Sequence, residues 1–341
     1  MKAKFTFITL LLSVTLLTNC KKNGDVQPSP DALNGADLAN AGLAANVATN
    51  TVTTVAGGTP GLQDGTGKNA RFNNPYGIQY AADCNIYVAD RNNNKLRKVT
   101  PQGVVTTLAV PRAGGTPLDQ PEYVAVSKTG LINVIDSSPD GFSECLIFNP
   151  DGTLNFAMGG WYAIFGSIAK DPYHDYFWFG RSGGVVKFLV SDDRNYIGTD
   201  AMTTTNDFLE APERDERHWN WTAIAVGYNN VFYLAYGNHL YKRVPSGHAE
   251  RIFRDLDLGG ITSIVLSKDS RTIYLAAGGY IKRIDNGKLT VIAGPNGTNQ
   301  GNDGVGLKAD VYANSLAIGQ TENEIYFSDP HINAIRKITF K

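Results

Sequence analysis

The chain has few cysteines, few charged residues and no excess of either charge. Three cysteines in 341 residues are too few for a disulfide-stapled scaffold or a multi-cysteine zinc site. Lysine and arginine number 31 against 32 aspartate and glutamate residues, and the net charge of -1 gives no general attraction to nucleic acid or an anionic membrane surface. We therefore expect no nucleic-acid partner.

The composition also argues against a disordered chain and a helical bundle. Only 18% of the residues are charged, while 42% are hydrophobic and 36 are glycine. A disordered chain carries more charge and fewer hydrophobic residues, and a bundle of helices has little use for so many turn-forming glycines. The length suits either two ordinary domains or one large β ring. The composition favours an all-β protein.

Residues 1–19 have the pattern of an export signal. Two lysines precede an apolar run from Phe5 to Leu17, which is shorter than the ~20 residues that a membrane-spanning helix needs. The run leads into Leu17-Thr18-Asn19-Cys20, which resembles the bacterial lipoprotein signal. The resemblance implies cleavage before Cys20 and lipid chains on this cysteine, which would anchor the protein to a membrane of the cell envelope, in the periplasm or at the cell surface.

Residues 20–50 are rich in alanine, asparagine, aspartate, glycine and proline and almost lack aromatic side chains. Such a segment cannot build a hydrophobic core. It is typical of a flexible tether, and a short alanine-rich helix is the alternative.

The rest of the chain repeats one pattern, a short strand, a turn and a second strand. The copies follow one another at spacings of 41 to 56 residues. They are GIQYAADCNIYVAD (77–90), VAVSKTGLINVID (124–136), SIAKDPYHDYFWFG (167–180), AIAVGYNNVFYLAY (223–236), SIVLSKDSRTIYLAA (263–277) and SLAIGQTENEIYFSD (315–329). This period, with four short strands per unit, predicts propeller blades.

A third strand with paired basic residues follows several of these pairs, as in Leu96-Arg97-Lys98-Val99 and Ile335-Arg336-Lys337-Ile338. Strand side chains alternate between two faces, so one basic residue lies on each face. We expect the aliphatic stems to lie along the neighbouring blade with their charges at the rim.

Two segments resemble the NHL repeat closely. They are DGTGKNARFNNPYGIQYAADCNIYVADRNNNKLRKVTPQGVVTTLA (64–109) and DGVGLKADVYANSLAIGQTENEIYFSDPHINAIRKITF (303–340). Together with the signal, the chain resembles the NHL-repeat lipoproteins of Bacteroidetes type, and the resemblance covers residues 51–341. It implies a six-bladed β-propeller. Because the sixth unit stops after its third strand, residues 51–57 are expected to supply the missing outer strand of the last blade.

Propellers usually bind ligands on the face where the second-to-third turns and the links between blades open. Arg91 falls on this face, and the candidate ligand-binding residues there are Tyr76, Tyr123, Trp161, Tyr162, Arg181, His218, Trp219, Trp221, Tyr312 and His331. Tyrosine and tryptophan offer flat apolar area with a polar group, which suits sugar rings or peptide side chains. For Tyr76, Tyr123, Tyr312 and Trp221 the alternative is packing between blades. The long link 198–221 is either a ligand lid or a surface insertion.

For the acidic and histidine residues on this face, a structural role is favoured over a catalytic or metal-binding one. Asp90, Asp136 and Asp329 end second strands, where a carboxylate usually accepts backbone N–H bonds. None of His218, His239 and His331 falls inside a predicted strand, so each is expected to be a surface or capping residue.

The sequence therefore predicts a monomeric, lipid-anchored binding propeller for a glycan, peptide or partner protein, without a cofactor. The alternative is a metal-dependent enzyme that uses a divalent cation in the channel. Peptidyl-hydroxyglycine lyases and gluconolactonases have propellers that this chain resembles, and this resemblance supplies the alternative of a lyase or lactonase.

Overall fold

The described chain consists of β-strands, turns and single 3-10 turns. A computed structural model describes residues 50–161, 165–172, 174–181, 184–190, 197–204, 221–245 and 247–341. Within these ranges no helix is long and apolar enough to cross a membrane. The 3-10 turns are Gly67–Asn69, Arg91–Asn93, Ala113–Gly115, Tyr228–Asn230 and Gly306–Lys308.

The strands form antiparallel sheets in chain order. Strand β1 (Thr51–Gly57) precedes sheet 1, which contains β2 (Gly65–Thr66), β3 (Pro75–Tyr80), β4 (Ile86–Asp90), β5 (Lys95–Val99) and β6 (Val104–Leu108). Sheet 2 contains β7 (Pro121–Val126), β8 (Ile132–Ser137), β9 (Phe142–Phe148) and β10 (Leu154–Trp161). Sheet 3 contains β11 (Phe165–Lys170), β12 (Tyr176–Arg181), β13 (Gly184–Val190) and β14 (Ile197–Thr204).

The second half of the chain continues in the same way. Sheet 4 contains β15 (Ala223–Val226), β16 (Phe232–Tyr236), β17 (His239–Arg243) and β18 (Ala249–Ile252). Sheet 5 contains β19 (Ile261–Leu266), β20 (Thr272–Ala277), β21 (Tyr280–Asp285) and β22 (Lys288–Ala293). Sheet 6 contains β23 (Gly304–Val305), β24 (Ser315–Ile318), β25 (Glu324–Asp329) and β26 (Ala334–Thr339), together with β1.

The sheets are arranged in a closed ring. Each first strand contacts the first strand of the next sheet, from β3 through β7, β11, β15, β19 and β24, and β24 returns to β3. The hydrophobic core is divided in the same way, since each cluster of buried side chains lies between two neighbouring sheets. Alternating side chains on both faces of a sheet are therefore buried against its two neighbours. The fold is an all-β propeller.

Sheet 6 is completed by the N-terminal strand, as the sequence predicts. Strand β1 pairs antiparallel with β26, from Thr51 opposite Thr339 to Gly57 opposite Ala334. Val52 and Ala56 of β1 are fully buried. The two ends of the described chain are thus held in one sheet, which removes an exposed edge at β26.

Hydroxyl groups join neighbouring sheets around the channel. The Ser263 hydroxyl accepts a hydrogen bond from the backbone N–H of Leu316 at 3.0 Å, and the Ser315 hydroxyl accepts one from Ile78 at 3.2 Å. Thr222 donates to the Ile261 carbonyl at 2.8 Å. These bonds satisfy edge groups of the first strands that lack a strand partner.

The basic residues of the third strands do not all lie at the rim, so that expectation is wrong for Arg97 and Arg336. Both arginines are completely buried. Arg97 pairs with Asp90 at 2.7 Å, and Arg336 pairs with Asp329 at 2.8 Å. The neighbouring Lys98, on the opposite face of its strand, is partly exposed. Each buried arginine also donates to backbone carbonyls of the link that enters its sheet, which compensates for its desolvation.

Candidate ligand-binding site

The strand order defines two faces of the ring. Each first strand begins at the face where links enter and second-to-third turns open, and we call it the link face. Each first strand ends at the face of the first-to-second turns, which we call the hairpin face.

Sheets 1 and 2 meet at the link face in a group of two tyrosines and an ion pair. The Tyr76 and Tyr123 rings form an edge-to-face pair with centroids 5.9 Å apart. The Arg91 guanidinium lies 5.5 Å from the centroid of the Tyr76 ring and 3.2 Å from a carboxylate oxygen of Glu122. Because aromatic faces attract cations, one arginine holds both neighbours in place.

A close approach of β3 and β7 brings these side chains together. Gly77 follows Tyr76, and a Cβ atom at this position would lie 2.4 Å from the carbonyl oxygen of Glu122. Any larger residue would push the strands apart. The glycine therefore sets the distance between the two tyrosines, although its φ is not in the left-handed region.

Burial shifts the pKa values of two side chains in this group. Burial raises the pKa of Glu122 above its usual value, although Arg91 acts against this shift. Burial also raises the pKa of Tyr123, so its hydroxyl stays protonated and can donate a hydrogen bond at neutral pH. The group can thus offer an aromatic edge, a phenolic donor and an arginine.

Sheet 6 contributes a second aromatic pair on the link face. The rings of Tyr312 and His331 stack with centroids 4.4 Å apart. The Tyr312 hydroxyl donates to the Asn299 side chain at 2.6 Å. His331 is exposed. The pair therefore presents a fixed, partly exposed ring surface rather than a freely rotating tyrosine.

Direct hydrogen bonds connect sheets 6 and 1 at this face. The Ser328 hydroxyl donates to the carbonyl oxygen of Tyr76 at 2.6 Å. The sheets that hold Tyr312, Tyr76 and Tyr123 are consecutive in the ring. We call Tyr76, Arg91, Tyr123, Tyr312 and His331 the aromatic arc.

Sheet 2 carries a carboxylate cluster that departs from the repeat. In sheet 1, Arg97 lies opposite the residue two positions before Asp90. In sheet 2, Leu146 lies opposite the residue two positions before Asp136, so a leucine takes the place of the arginine. Arg112 of the preceding link lies 3.6 Å from Asp136 and 2.7 Å from Glu144 instead. The sequence analysis did not identify Arg112 as the partner of these carboxylates, because Arg112 lies outside the repeated strands.

The protonation of Asp136 reflects this weaker pairing. Burial raises the pKa of Asp136 from 3.8 to about 6, against hydrogen bonds from the backbone N–H of Asp119 and the charge of Arg112. The folded chain therefore binds this proton more tightly than the unfolded chain. The stability from protonated Asp136 is fully present below the unfolded pKa and is lost as the pH rises through about 6.

The three strand-ending aspartates accept backbone N–H bonds, as the sequence predicts. Asp90 accepts from Asn73 at 2.8 Å, and Asp136 accepts from Asp119. Asp329 accepts from Tyr312 at 3.3 Å. The N–H donors lie in the links that precede the sheets rather than only in the turns after the second strands. Each carboxylate therefore holds the preceding link in place where it enters the sheet.

The remaining predicted residues have different outcomes. Trp221 is fully buried and packs edge-to-face on Tyr241 at 5.6 Å, so its assignment to the binding face is wrong and the packing alternative holds. His239 is the first residue of β17, which corrects its expected place outside a strand. Only the backbone of Trp161 and Arg181 is described. The candidates outside the described residues are Tyr162, His218, Trp219 and Cys20, as are most of the link 198–221 and nearly all of the tether.

The sequence analysis did not identify Glu122. Its only sequence signal is an acidic residue beside Tyr123 and a basic residue, Arg91, at the corresponding end of the previous repeat. Opposite charges in consecutive repeats become neighbours only in the folded ring.

The channel between the first strands contains a cavity of about 290 Å³. At the link face it is bounded by Tyr123, Ser167, Thr222, Thr262 and Ser315. Its walls are mainly backbone and small or aliphatic side chains of the first strands. Among the described residues, no group of three or more histidine, cysteine, aspartate or glutamate side chains could hold a metal ion.

Solved structures share this fold at low sequence identity. A structural genomics protein of unknown function from Bacteroides thetaiotaomicron matches with 17% identity and a TM-score of 0.63, over 86% of this chain and 76% of that chain. An auxiliary nutrient binding protein from Bacteroides ovatus matches with 14% identity and a TM-score of 0.61, over 86% and 77%. A gluconolactonase from Xanthomonas campestris matches with 10% identity and a TM-score of 0.54, over 80% and 87%.

No protein-family model matches the chain, and no curated protein matches it. At such identities the solved structures establish the fold alone.

Proposed function

We propose that this protein is a lipid-anchored, extracytoplasmic binding propeller of the NHL type, whose link face takes a glycan, a peptide or a partner protein. Each of the six sheets is then one blade, and residues 51–341 form one domain. Residues 1–19 are a cleaved signal, Cys20 carries the lipid anchor and residues 20–50 form the tether. We propose a monomer in the bacterial cell envelope.

The aromatic arc is the observation that supports binding on the link face. Tyr312 is held by Asn299 and stacked on His331, so a ligand that packs on this pair meets a surface already in place. Little side-chain entropy is then lost on binding. Flat ring surfaces beside hydrogen-bond donors suit sugar rings and peptide side chains.

The Arg91 and Glu122 pair adds polar recognition to this surface. Arg91 is partly exposed, and its Nε–H is buried without a hydrogen-bond partner among the described residues. Its guanidinium is ordered by Tyr76 and Glu122 before any ligand arrives. An ordered guanidinium can donate to hydroxyl or carbonyl oxygens with a small loss of entropy.

The test is a screen of the purified protein against immobilised oligosaccharides and short peptides, followed by affinity measurements on variants with the best probe. Tyr312→Ala and Arg91→Ala should each weaken binding at least about tenfold. The melting temperature should change little in both variants. Tyr228→Ala, on the hairpin face, is the matched aromatic control and should keep full affinity.

Two results would contradict the proposal. One is the absence of saturable binding to any glycan or peptide probe. The other is equal weakening by Tyr228→Ala and Tyr312→Ala, since the arc would then have no special role.

A metal-dependent lyase or lactonase is the alternative from the sequence. A streptogramin B lyase has the same fold, with 13% identity and a TM-score of 0.52 over 86% of this chain and 98% of that chain. Metal analysis of the purified protein separates the two functions, because a stoichiometric divalent cation would favour the enzyme.

A further inference from the structure

Sheet 5 presents a low crest of backbone at the link face, beside the aromatic arc. Gly278 and Gly279 form the turn between β20 and β21, and Gly294 and Pro295 follow β22. We call these four residues the crest. Gly278 is exposed, and no atom lies within 4 Å of the position that a Cβ atom would take there. Because three of the four residues lack a side chain, a ligand can approach the backbone of the crest closely.

Two tyrosine rings pack against the crest. Tyr312, in the link that enters sheet 6, places its Cδ1 atom 3.4 Å from the position of a Cβ atom at Gly279. A Cβ atom at Gly294 would overlap the ring of Tyr280, the first residue of β21. The two rings therefore lie directly against glycine backbone, and they come from neighbouring sheets.

The Tyr280 ring is held by a cation as well as by the crest. The Lys282 ammonium lies 5.7 Å from the centroid of this ring and donates to the Leu258 carbonyl at 2.8 Å. Tyr280 and Tyr312 are both partly exposed, and Tyr312 is fixed by its contacts within sheet 6. A ligand that packs on the two rings therefore meets ordered side chains.

This surface continues from sheet 6 to sheet 1 through direct contacts. His331, which stacks on Tyr312, lies two residues before Asn333. The side-chain oxygen of Asn333 accepts the backbone N–H of Asn74 at 2.8 Å, and Tyr76 of the aromatic arc follows two residues later. Aromatic rings therefore border the link face on sheets 5, 6, 1 and 2, which are consecutive in the ring.

Backbone N–H groups along the link into sheet 6 are already used within the protein. Ala313 donates to the Gly279 carbonyl at 2.9 Å. Val311 donates to the Gly294 carbonyl at 3.2 Å, and Tyr312 donates to the carboxylate that ends β25 at 3.3 Å. A peptide that binds as an added strand needs a row of unpaired backbone groups. The ring surface beside the crest offers no such row at these positions.

We propose that the ligand of the link face is a linear oligosaccharide that crosses the crest, with its sugar rings on Tyr280, Tyr312 and Tyr76. This inference rests on the function proposed above and selects the glycan among its ligand classes. The apolar face of a sugar ring packs on an aromatic ring. Sugar hydroxyl groups bind side-chain amides such as that of Asn299 and need no unpaired backbone edge. A chain of several sugars fits better than one sugar, because the aromatic rings are spread over consecutive sheets.

The experiment measures the affinity of the full chain for neutral linear oligosaccharides by isothermal calorimetry. The probes are series of two to six units of glucose, mannose, xylose or N-acetylglucosamine. In at least one series the hexasaccharide should bind at least about tenfold more tightly than the disaccharide, because it reaches more rings. A blocked hexaproline and a blocked peptide of alternating serine and tyrosine are the comparison and should bind more weakly.

Variants then test the path over the crest. Tyr280→Ala should weaken binding of the hexasaccharide at least about tenfold. Gly278→Asn adds a side chain at an exposed position with a φ of +61°, which asparagine tolerates. It should weaken the hexasaccharide by a similar factor and leave the melting temperature nearly unchanged. Gly237→Asn is the matched control, because Gly237 is exposed in the corresponding turn of sheet 4, with a φ of +56° and no atom near its Cβ position. It should bind like the unchanged protein.

Three results would refute this inference. They are equal affinity for short and long oligosaccharides, tighter binding of a peptide than of any oligosaccharide, and equal effects of Gly278→Asn and Gly237→Asn. Loss of binding in Tyr312→Ala without any effect of Tyr280→Ala would refute the path over the crest and leave the proposed function standing. The absence of saturable binding to every probe would refute both.

Discussion

Replacing Arg97 with methionine should destabilise the protein far more than the same change at Lys98. The two residues are neighbours on β5, but their side chains lie on opposite faces. Arg97 is completely buried, whereas the Lys98 side chain is 31% exposed. The comparison therefore keeps strand, chemistry and sequence position almost constant and changes only the environment.

The size of the loss in stability depends on the groups that the Arg97 guanidinium now binds. Its guanidinium donates to Asp90 at 2.7 Å, to the Arg71 and Gln63 carbonyls at 2.9 Å each, and to Asp64 at 2.8 Å. Asp64 is half-exposed, so water can replace its lost partner. Asp90 is fully buried and keeps only the bonds from Asn73 and Asn93.

Breaking a buried ion pair on one side costs about 3–5 kcal/mol. This is a large part of the ~5–15 kcal/mol by which folded proteins are usually stable. Lys98 pairs with Asp83 at 2.8 Å near the surface, and such a pair contributes about 0–1 kcal/mol.

The assay is urea unfolding followed by tryptophan fluorescence and by circular dichroism. The midpoint should fall strongly for Arg97→Met and little for Lys98→Met, at similar slopes. Adding Asp90→Asn to Arg97→Met should recover part of the loss, because the buried charge is then removed. Equal midpoints for the two single variants, or no recovery in the double variant, would refute the role assigned to the orphaned carboxylate.

Three further predictions concern the chain end, the anchor and the pH response. Deleting residues 51–57 should lower the melting temperature by at least about 8 °C, while deleting 21–45 should change it little; equal melting temperatures would contradict the closure by β1. Cys20→Ala should release the protein from the membrane fraction, and unchanged fractionation with unchanged acyl labelling would contradict the anchor. Asp136→Asn should raise stability at pH 7.5 by up to about 3 kcal/mol, since one pKa unit corresponds to about 1.36 kcal/mol. Its melting temperature should also fall less than that of the unchanged protein between pH 4.5 and 7.5, and parallel pH profiles would show that Asp136 does not titrate in this range.

The sequence by itself determined the repeated sheet and its closure. The recurrence of two strands around a short turn is local, because strand length, turn residues and side-chain alternation act within one repeat. The pairing of β1 with β26 followed from counting strands, since the last repeat lacks an outer strand. The backbone N–H acceptors Asp90, Asp136 and Asp329 were found from their place at strand ends.

Tertiary structure decided which side of each strand is buried and which repeats meet. Side-chain alternation places Arg97 and Lys98 on opposite faces of β5 but does not show which of the two faces is buried. The arginine lies inside because the link that enters sheet 1 packs against it. Tryptophan is a residue type that often binds ligands, yet Trp221 is buried where sheets 3 and 4 pack against each other. Tyr280 and Tyr312 come from different repeats and pack against one crest only because sheets 5 and 6 are neighbours in the ring. Contacts between repeats depend on the geometry of the closed ring, which no single repeat contains.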